Sequence, residues 1–163
     1  MASTPRPKPP TGKTPAARMD FDSSVHFLVT SLANKLNNRA SRDLKRRLDL
    51  GLMEWRAIVL LAVEGEASPG RIAQVAGVDK SVVSRAVTSL ERRGLVRVSP
   101  DLQPGRQTRL TLTLAGQALH DRGIGDSLLR EEDLLGDFAP EERAALIGLL
   151  KRLTANHTRA PET

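Results

Sequence analysis

The sequence of 163 residues contains no cysteine and no long apolar run. Without cysteine the chain has no disulfide framework, no thiol redox switch and no thiolate metal site, which is compatible with a reducing cytoplasm. No apolar stretch approaches the ~20 residues that a membrane helix needs, so no membrane partner is expected. The N-terminus is polar and rich in proline, which argues against a secretory signal.

Catalytic motifs are absent as well. The three histidines are scattered, and no Ser-His-Asp arrangement can be assembled. The sequence has no HExxH run, no phosphate-binding loop and no dinucleotide fingerprint. His120 precedes Asp121, but adjacent helical residues do not face each other, so an ordinary polar helix position is expected there. The spacing of histidines and carboxylates suggests no metal site. We therefore expect a protein that is not an enzyme and has no cofactor.

The 25 basic and 19 acidic side chains are unevenly distributed. Residues 71–109 hold eight basic and three acidic side chains, a net charge of +5, whereas residues 110–142 hold two and eight, a net charge of −6. A basic block of this kind is the electrostatic footprint of a nucleic-acid-binding surface. The alternative, a merely solvated surface, is the weaker interpretation for the basic block and stays open for the acidic one.

The first 18 residues carry four basic side chains, five prolines and no acid. Such a segment cannot bury apolar area, so it is predicted to be a disordered solvating tail. A basic arm that adds phosphate contacts is the weaker alternative.

A long helix is predicted from a cap at Asp22 or Ser23 to about Leu50, where Gly51 stops it. At ~40 Å it is longer than a compact domain of this size needs for its own core, so part of it should pack on another chain. Its predicted buried stripe is Val25, Leu28, Val29, Leu32 and Leu36.

The next segment, 52–63, is too apolar for an exposed helix and should lie at the centre of the domain. Its Trp55 is expected in the core, with a place in a ligand cleft as the secondary possibility.

Two short helices follow. Ser68 is an N-cap and Pro69 a first helical residue, and together they open a helix that ends at Gly77.

Asp79 caps a second helix that Gly94 can end, with Val83, Ala86, Val87 and Leu90 on its buried face. Its opposite face carries small hydroxyl side chains and one guanidinium, which suits close approach to bases and phosphates. The pair predicts a helix-turn-helix with the second helix as the reader.

The alternating patterns at 95–98 and 109–112 predict two strands, and the turn residues between them predict a wing that carries Arg106 and Gln107.

Thr113 should cap a helix from Leu114 to about Phe138, with a kink or break at Gly123 and Gly125. Pro140 opens a last helix that is rich in leucine. Terminal helices of that kind usually dock on something, so the first and last helices are the candidate dimer surface.

This order of elements resembles the multiple antibiotic resistance regulator (MarR) family of winged helix-turn-helix transcription factors. The most specific stretches are, in chain order, Leu52-x-x-Trp55-Arg56, then Ser81-x-x-Ser84-Arg85-x-Val87-x-x-Leu90-Glu91-x-x-Gly94-Leu95-Val96, then Leu112-Thr113-x-x-Gly116. The resemblance covers roughly residues 24–156. It implies a homodimer with intertwined terminal helices, each reader helix and wing engaging half of a pseudo-palindromic operator. Half-sites ~10 bp apart follow from placing two reader helices in successive major grooves.

Two positions depart from the family pattern. The wing commonly carries an Asp a few residues before its Arg, but here Pro104 stands opposite Arg106. The usual Ser or Thr cap of the last helix is replaced by Ala139, which should weaken the start of that helix by ~1 kcal/mol.

The predicted fold is mainly α with a small two- or three-stranded β-wing. We expect a disordered tail over 1–18, a helical dimerisation region from 19–50 and 117–156, a winged helix-turn-helix domain over 51–116 and a tail over 157–163.

The predicted DNA contacts fall into three groups. Lys80 and the first-turn amides should hold phosphate, because a helix N-terminus attracts anions. Arg85 can contact guanine through two hydrogen bonds, with Ser81 and Ser84 as further base-edge contacts. Plain surface polarity is the stronger interpretation for Thr88 and Gln107. The full set is Ser68, Arg71, Lys80, Ser81, Ser84, Arg85, Thr88, Arg106 and Gln107.

The resemblance also implies a small-molecule effector, often an aromatic acid or a conjugate. By analogy His26, Trp55 and Arg56 are candidates for its cleft, since an arginine suits a carboxylate; a structural ion pair is the alternative for Arg56. The function expected is a dimeric, ligand-responsive DNA-binding repressor, cytoplasmic and nucleoid-associated. The competing hypothesis is a winged-helix scaffold that binds a protein and no specific DNA.

Overall fold

The computed structural model describes residues 20–99 and 108–159. The predicted tail over 1–18 and the wing residues Pro104, Arg106 and Gln107 lie outside these ranges. Contacts divide the chain into two units, Met1–Ala40 and Ser41–Thr163. Among the described helices, none combines the length and the apolar character that crossing a bilayer requires.

The described elements are six helices and three short strands. In chain order they are α1 (Val25–Leu48), α2 (Leu52–Glu64), β1 (Glu66–Ala67), α3 (Pro69–Ala76), α4 (Lys80–Arg92), β2 (Val96–Ser99), β3 (Arg109–Leu112), α5 (Leu114–Leu135) and α6 (Pro140–Arg159). The strands form one antiparallel sheet in the order β1-β3-β2. The expected mainly helical fold with a small β-wing is confirmed.

The start of α1 differs from the prediction. Ser24 occupies the cap, accepting from the backbone N–H of Phe27 at 3.4 Å, whereas Asp20 accepts from Asp22 and Ser23. The predicted buried stripe is wrong for the single chain, because Val25, Leu28, Val29, Leu32 and Leu36 are all exposed. Within the first unit α1 is the one described helix, and a lone helix cannot cover its own apolar stripe.

The core of the second unit is built around α2. Fully buried side chains come from α2, α3, α4, β3 and the link before α2; the largest are Leu50, Ile58, Leu61, Ile72, Val83, Leu90 and Leu110. Trp55 is 5% exposed, which confirms its place in the core. The predicted buried face of α4 is confirmed for Val83, Ala86 and Leu90, and Val87 is half-buried.

Most helix caps are where the sequence predicts them. Ser68 accepts from the backbone N–H of Arg71 at 3.1 Å, and Thr113 accepts from that of Gly116 at 3.1 Å. Asp79 occupies the N-cap of α4 but makes no side-chain capping bond. At α6 the backbone N–H of Ala139 donates to the carboxylate of Glu142 at 2.8 Å. This reciprocal half of a capping box serves the helix start although Ala139 has no hydroxyl.

Of the kink or break predicted in α5, the break is absent, since the helix runs without interruption past Gly123 and Gly125. Gly123 is buried. A β-carbon at this position would lie 2.7 Å from the Trp55 ring and 2.6 Å from Leu48, so only glycine fits without a shift of its neighbours. The glycine therefore serves close packing of α5 on the core. The last helix extends to Arg159, three residues into the segment that we predicted as a tail.

Candidate nucleic-acid interface

The turn between α3 and α4 fixes the angle at which α4 leaves the core. Gly77 adopts a left-handed conformation with φ of 65°, which glycine reaches without a steric penalty. The carbonyl of Ala73 accepts from Gly77 and from Val78, the latter at 3.1 Å. With Ile72 of α3 and Val83 and Leu90 of α4 buried in the core, the turn leaves one long face of α4 to solvent.

This solvent face of α4 holds the predicted reader residues Lys80, Ser81, Ser84, Arg85 and Thr88, all of them exposed. Within 20–99 and 108–159, neither Lys80 nor Arg85 has an ion-pair or hydrogen-bond partner. Thr88 differs, because its hydroxyl donates to the backbone carbonyl of Ser84 at 3.0 Å. Four of the five side chains are thus available to an external partner.

The two predicted contacts on α3 are already engaged within the chain. The Ser68 hydroxyl accepts from the backbone of Arg71 and is half-buried. The Arg71 guanidinium pairs with the Glu64 carboxylate, Nη2 to Oε1 at 2.7 Å, and donates to Gln74 at 3.2 Å. The hydrogen bond from Arg71 lowers the pKa of Glu64, and the same bond raises the pKa of Arg71.

Two other arginines of the basic block also have internal partners. Arg93, just after α4, donates to the backbone carbonyl of Asp49 at 2.9 Å and lies 3.7 Å from the Glu54 carboxylate. Arg109 of β3 pairs with Glu66 of β1. These pairs attach α4 to the α1–α2 corner and β3 to β1, so part of the positive charge counted in the sequence serves the fold.

The described wing strands add a residue that sequence reasoning missed. Arg97 of β2 is exposed and, among the described residues, unpaired. It faces outward because Val96, before it, points into the core and Val98, after it, is half-buried. The alternation of the strand was a sufficient signal, since neighbouring side chains of a strand point to opposite faces.

A cavity of about 540 Å³ lies between α2, α3 and α5. Its lining is mostly apolar, with Arg56 and Glu131 as the charged members: Trp55, Arg56, Val59, Leu60, Val63, Ile72, Val75, Ala76, Ile124, Ser127, Leu128 and Glu131. Two of the three predicted ligand residues, Trp55 and Arg56, therefore share one cavity. The third, His26, is exposed on α1 in the first unit.

Trp55 is held in place from two sides. Its indole Nε1 donates to the Ser127 hydroxyl at 3.2 Å, and its ring stacks on that of His120 with centroids 6.1 Å apart. Nδ1 of His120 lies 2.9 Å from the carboxylate of Asp121, so the expectation that these adjacent residues would not meet is wrong. This hydrogen bond, followed by that from Gln117, lowers the pKa of Asp121.

No group of three or more histidine and carboxylate side chains that could hold a metal ion occurs in the described part of the chain.

Comparison with known proteins gives consistent matches. A MarR family model matches residues 48–107. The chain is 26% identical to the HTH-type transcriptional regulator PecS of Dickeya dadantii, over 83% of this chain and 85% of that protein. It is 28% identical to the HTH-type transcriptional repressor NicR of Pseudomonas putida, over 86% of this chain and 93% of that protein.

Among solved structures, a MarR/EmrR family transcriptional regulator from Acinetobacter sp. ADP1 superimposes with a TM-score of 0.82. The two sequences are 30% identical, and the match covers 87% of this chain and 100% of the other. The similarity therefore extends beyond the helix-turn-helix to most of the chain.

Proposed function

This chain belongs to the MarR family of transcriptional regulators, and on that premise we propose that it is a homodimeric repressor whose affinity for its operator is lowered by a small ligand. The coarser statement stands on the comparisons: the chain is a DNA-binding transcriptional regulator and not an enzyme. Repression is supported by the 28% identical repressor from Pseudomonas putida.

The observation that carries the DNA-binding proposal is the free polar face of α4. Lys80 lies at the first turn, where the partial positive charge of the helix N-terminus adds to its own attraction for phosphate. Arg85 is one turn further on and has no internal partner among the described residues, so its guanidinium is available for two hydrogen bonds to a guanine. Ser81 and Ser84 are short enough to let the helix backbone approach the groove floor.

The homodimer proposal is supported by apolar side chains at both ends of the chain. Exposed on α6 are Ile147, Leu149, Leu150 and Leu153, in addition to the α1 stripe. Monomeric soluble proteins rarely expose apolar patches of this extent. Under this proposal 19–50 and 117–156 form the dimerisation region, and 51–116 form the DNA-binding domain.

The effector proposal is supported by the cavity between α2, α3 and α5. An aromatic ring fits its apolar lining, and Arg56 suits a ligand carboxylate. A ligand there would contact Val75 and Ala76 of α3 directly, so it would favour one position of the helix-turn-helix. Its effect on DNA affinity equals its differential affinity for the two positions.

The test is an equilibrium titration of the protein against the DNA upstream of its own gene and against random DNA of equal length. Arg85→Ala should weaken specific binding about 10- to 100-fold and reduce the preference for the specific sequence. Arg122→Ala is the matched control, because it removes the same charge from an exposed position on α5. Equal losses in both variants, or no loss in Arg85→Ala, would favour the protein-binding scaffold.

A further inference from the structure

The planar donor edge of Arg71 is filled by a carboxylate. Nη2 lies 2.7 Å from Oε1 of Glu64, and Nε lies 3.1 and 3.3 Å from its two oxygens. Nη1 donates to Gln74 at 3.2 Å. A phosphate binds an arginine through the same two-pronged geometry, so Glu64 occupies the edge that a DNA phosphate would use.

Arg71 is in a position where a phosphate contact is expected. It lies in the first turn of α3, and the first helix of a helix-turn-helix crosses the DNA backbone. Glu64, at the end of α2, brings a negative charge to the same place. The Glu64 carboxylate therefore lowers the affinity for DNA in two ways. It cancels the charge of Arg71, and it repels the phosphate.

The residues around Gly65 repeat this arrangement. Glu66, two positions after Glu64, pairs with Arg109 of the wing strand β3. One arginine of the first helix and one of the wing are thus neutralised from a single three-residue segment. Lys80 and Arg85 on α4 have no such partner among the described residues.

We propose that Glu64 is an internal competitor for DNA phosphate that lowers operator affinity by occupying Arg71, an inference that rests on the proposed function. Both side chains are partly open to solvent, with relative exposures of 47% for Arg71 and 28% for Glu64. Exposed pairs of this kind are weak and are screened by salt, so Glu64 adjusts the affinity without blocking binding. Because Arg71 lowers the pKa of Glu64, the carboxylate remains ionised throughout the neutral range.

Glu64→Gln is the primary test, because it keeps the size of the side chain and one oxygen acceptor for Arg71 but removes the charge. We expect operator binding at least about threefold tighter at ~0.1 M salt, and a plot of log K against log salt that is steeper by about 1.8, because each copy in the proposed dimer gains about 0.9 from one phosphate contact. Adding Arg71→Ala to this variant should abolish both gains. Arg71→Ala alone should weaken binding, because it leaves the Glu64 carboxylate unpaired beside the DNA phosphate.

Glu132→Gln is the matched control. Glu132 also holds an arginine through two hydrogen bonds, from Nη2 and Nη1 of Arg143 at 2.8 and 3.0 Å, but it lies on α5 outside the helix-turn-helix. The control loses the same charge, and once light scattering shows that it has the same mass as the parent chain, it should leave the salt slope unchanged.

Unchanged or weaker binding by Glu64→Gln, or a double variant Glu64→Gln with Arg71→Ala that keeps the tighter binding, overturns the competitor role. If Arg85→Ala still weakens binding in that case, the proposed function stands without it. If neither the parent chain nor any variant prefers the upstream DNA over random DNA, the proposed function itself fails.

Discussion

Gly123 marks a close contact between α5 and the core. A β-carbon at this position would lie 2.6 Å from Leu48 and 2.7 Å from Trp55, and both of these neighbours are themselves packed. At Gly125, two residues on, a β-carbon meets nothing within 4 Å. The two glycines are therefore an internal comparison between a steric requirement and an open position in one helix.

We predict that Gly123→Ala lowers the free energy of unfolding by about 1–3 kcal/mol, because the core must shift to admit a methyl group. Gly125→Ala should raise it by up to about 1 kcal/mol, because alanine is the better helix former. Urea unfolding at one fixed protein concentration measures both. Similar changes in the two variants would contradict the packing described for Gly123.

Residue by residue, the sequence identifies the right chemical groups more reliably than their partners. Helical periodicity alone predicts that one face of α4 is exposed, and its four residues Lys80, Ser81, Ser84 and Arg85 are all exposed. The sequence predicts Arg71 on the same surface but not its ion pair with Glu64, seven positions earlier. That pairing depends on the turn at Gly65, whose geometry brings the end of α2 beside the start of α3.

At the scale of elements, Thr113 connects the end of α4, the start of β2 and the start of α5 through hydrogen bonds. Its hydroxyl accepts from the backbone N–H of Gly116 at the start of α5, and donates to the carbonyl of Gly94 at 2.6 Å after α4. Its own N–H donates to the carbonyl of Leu95 at 3.1 Å. One side chain thus caps α5 and fixes the segment that leads from α4 into β2.

Thr113→Ala should cost about 1–2 kcal/mol of stability, since it removes an N-cap and leaves the Gly94 carbonyl without this donor. Thr113→Ser retains both hydrogen bonds and should recover most of the loss. Thermal unfolding followed by circular dichroism compares the two. A serine variant as unstable as the alanine variant would show that the methyl group, and not the hydroxyl, matters.

The elements themselves were largely predictable because their signals are local. Ser68 with Pro69, Gly77 and Thr113 start or end helices through contacts within a few residues, and the structure places all of them as predicted. The break predicted as one alternative at Gly123 and Gly125 is wrong because glycine has two uses in a helix. Sequence alone does not distinguish a glycine that weakens a helix from one that admits a close neighbour.

At the scale of the whole molecule, the apolar stripes of α1 and α6 are the largest departure from a self-contained chain. The leucines of α6 are roughly half-exposed, and so is the stripe of α1 that periodicity predicted to be buried. Hydrophobic periodicity reports that a face is to be covered but not which chain covers it. We therefore propose, from the exposure of these two stripes, that a second copy of the chain covers them. Substitutions in α6 test this directly.

Leu150→Glu combined with Leu153→Glu should yield a monomer, because two charges would have to be buried in the proposed interface. Operator affinity should fall about 100-fold, since the second half-site would no longer be tethered to the first. Lys151→Glu is the control on the same helix, with the same total change in charge. Light scattering measures the mass, and a double variant that remains dimeric would place the interface elsewhere.

We propose that two copies of α4 read two half-sites of one operator. Hydroxyl-radical footprinting of the full chain on the DNA upstream of its own gene tests this reading by two copies. We expect two protected patches on one face of the duplex, with centres about 10 bp apart, both lost in Arg85→Ala. A single patch, or protection that Arg85→Ala leaves intact, would contradict it.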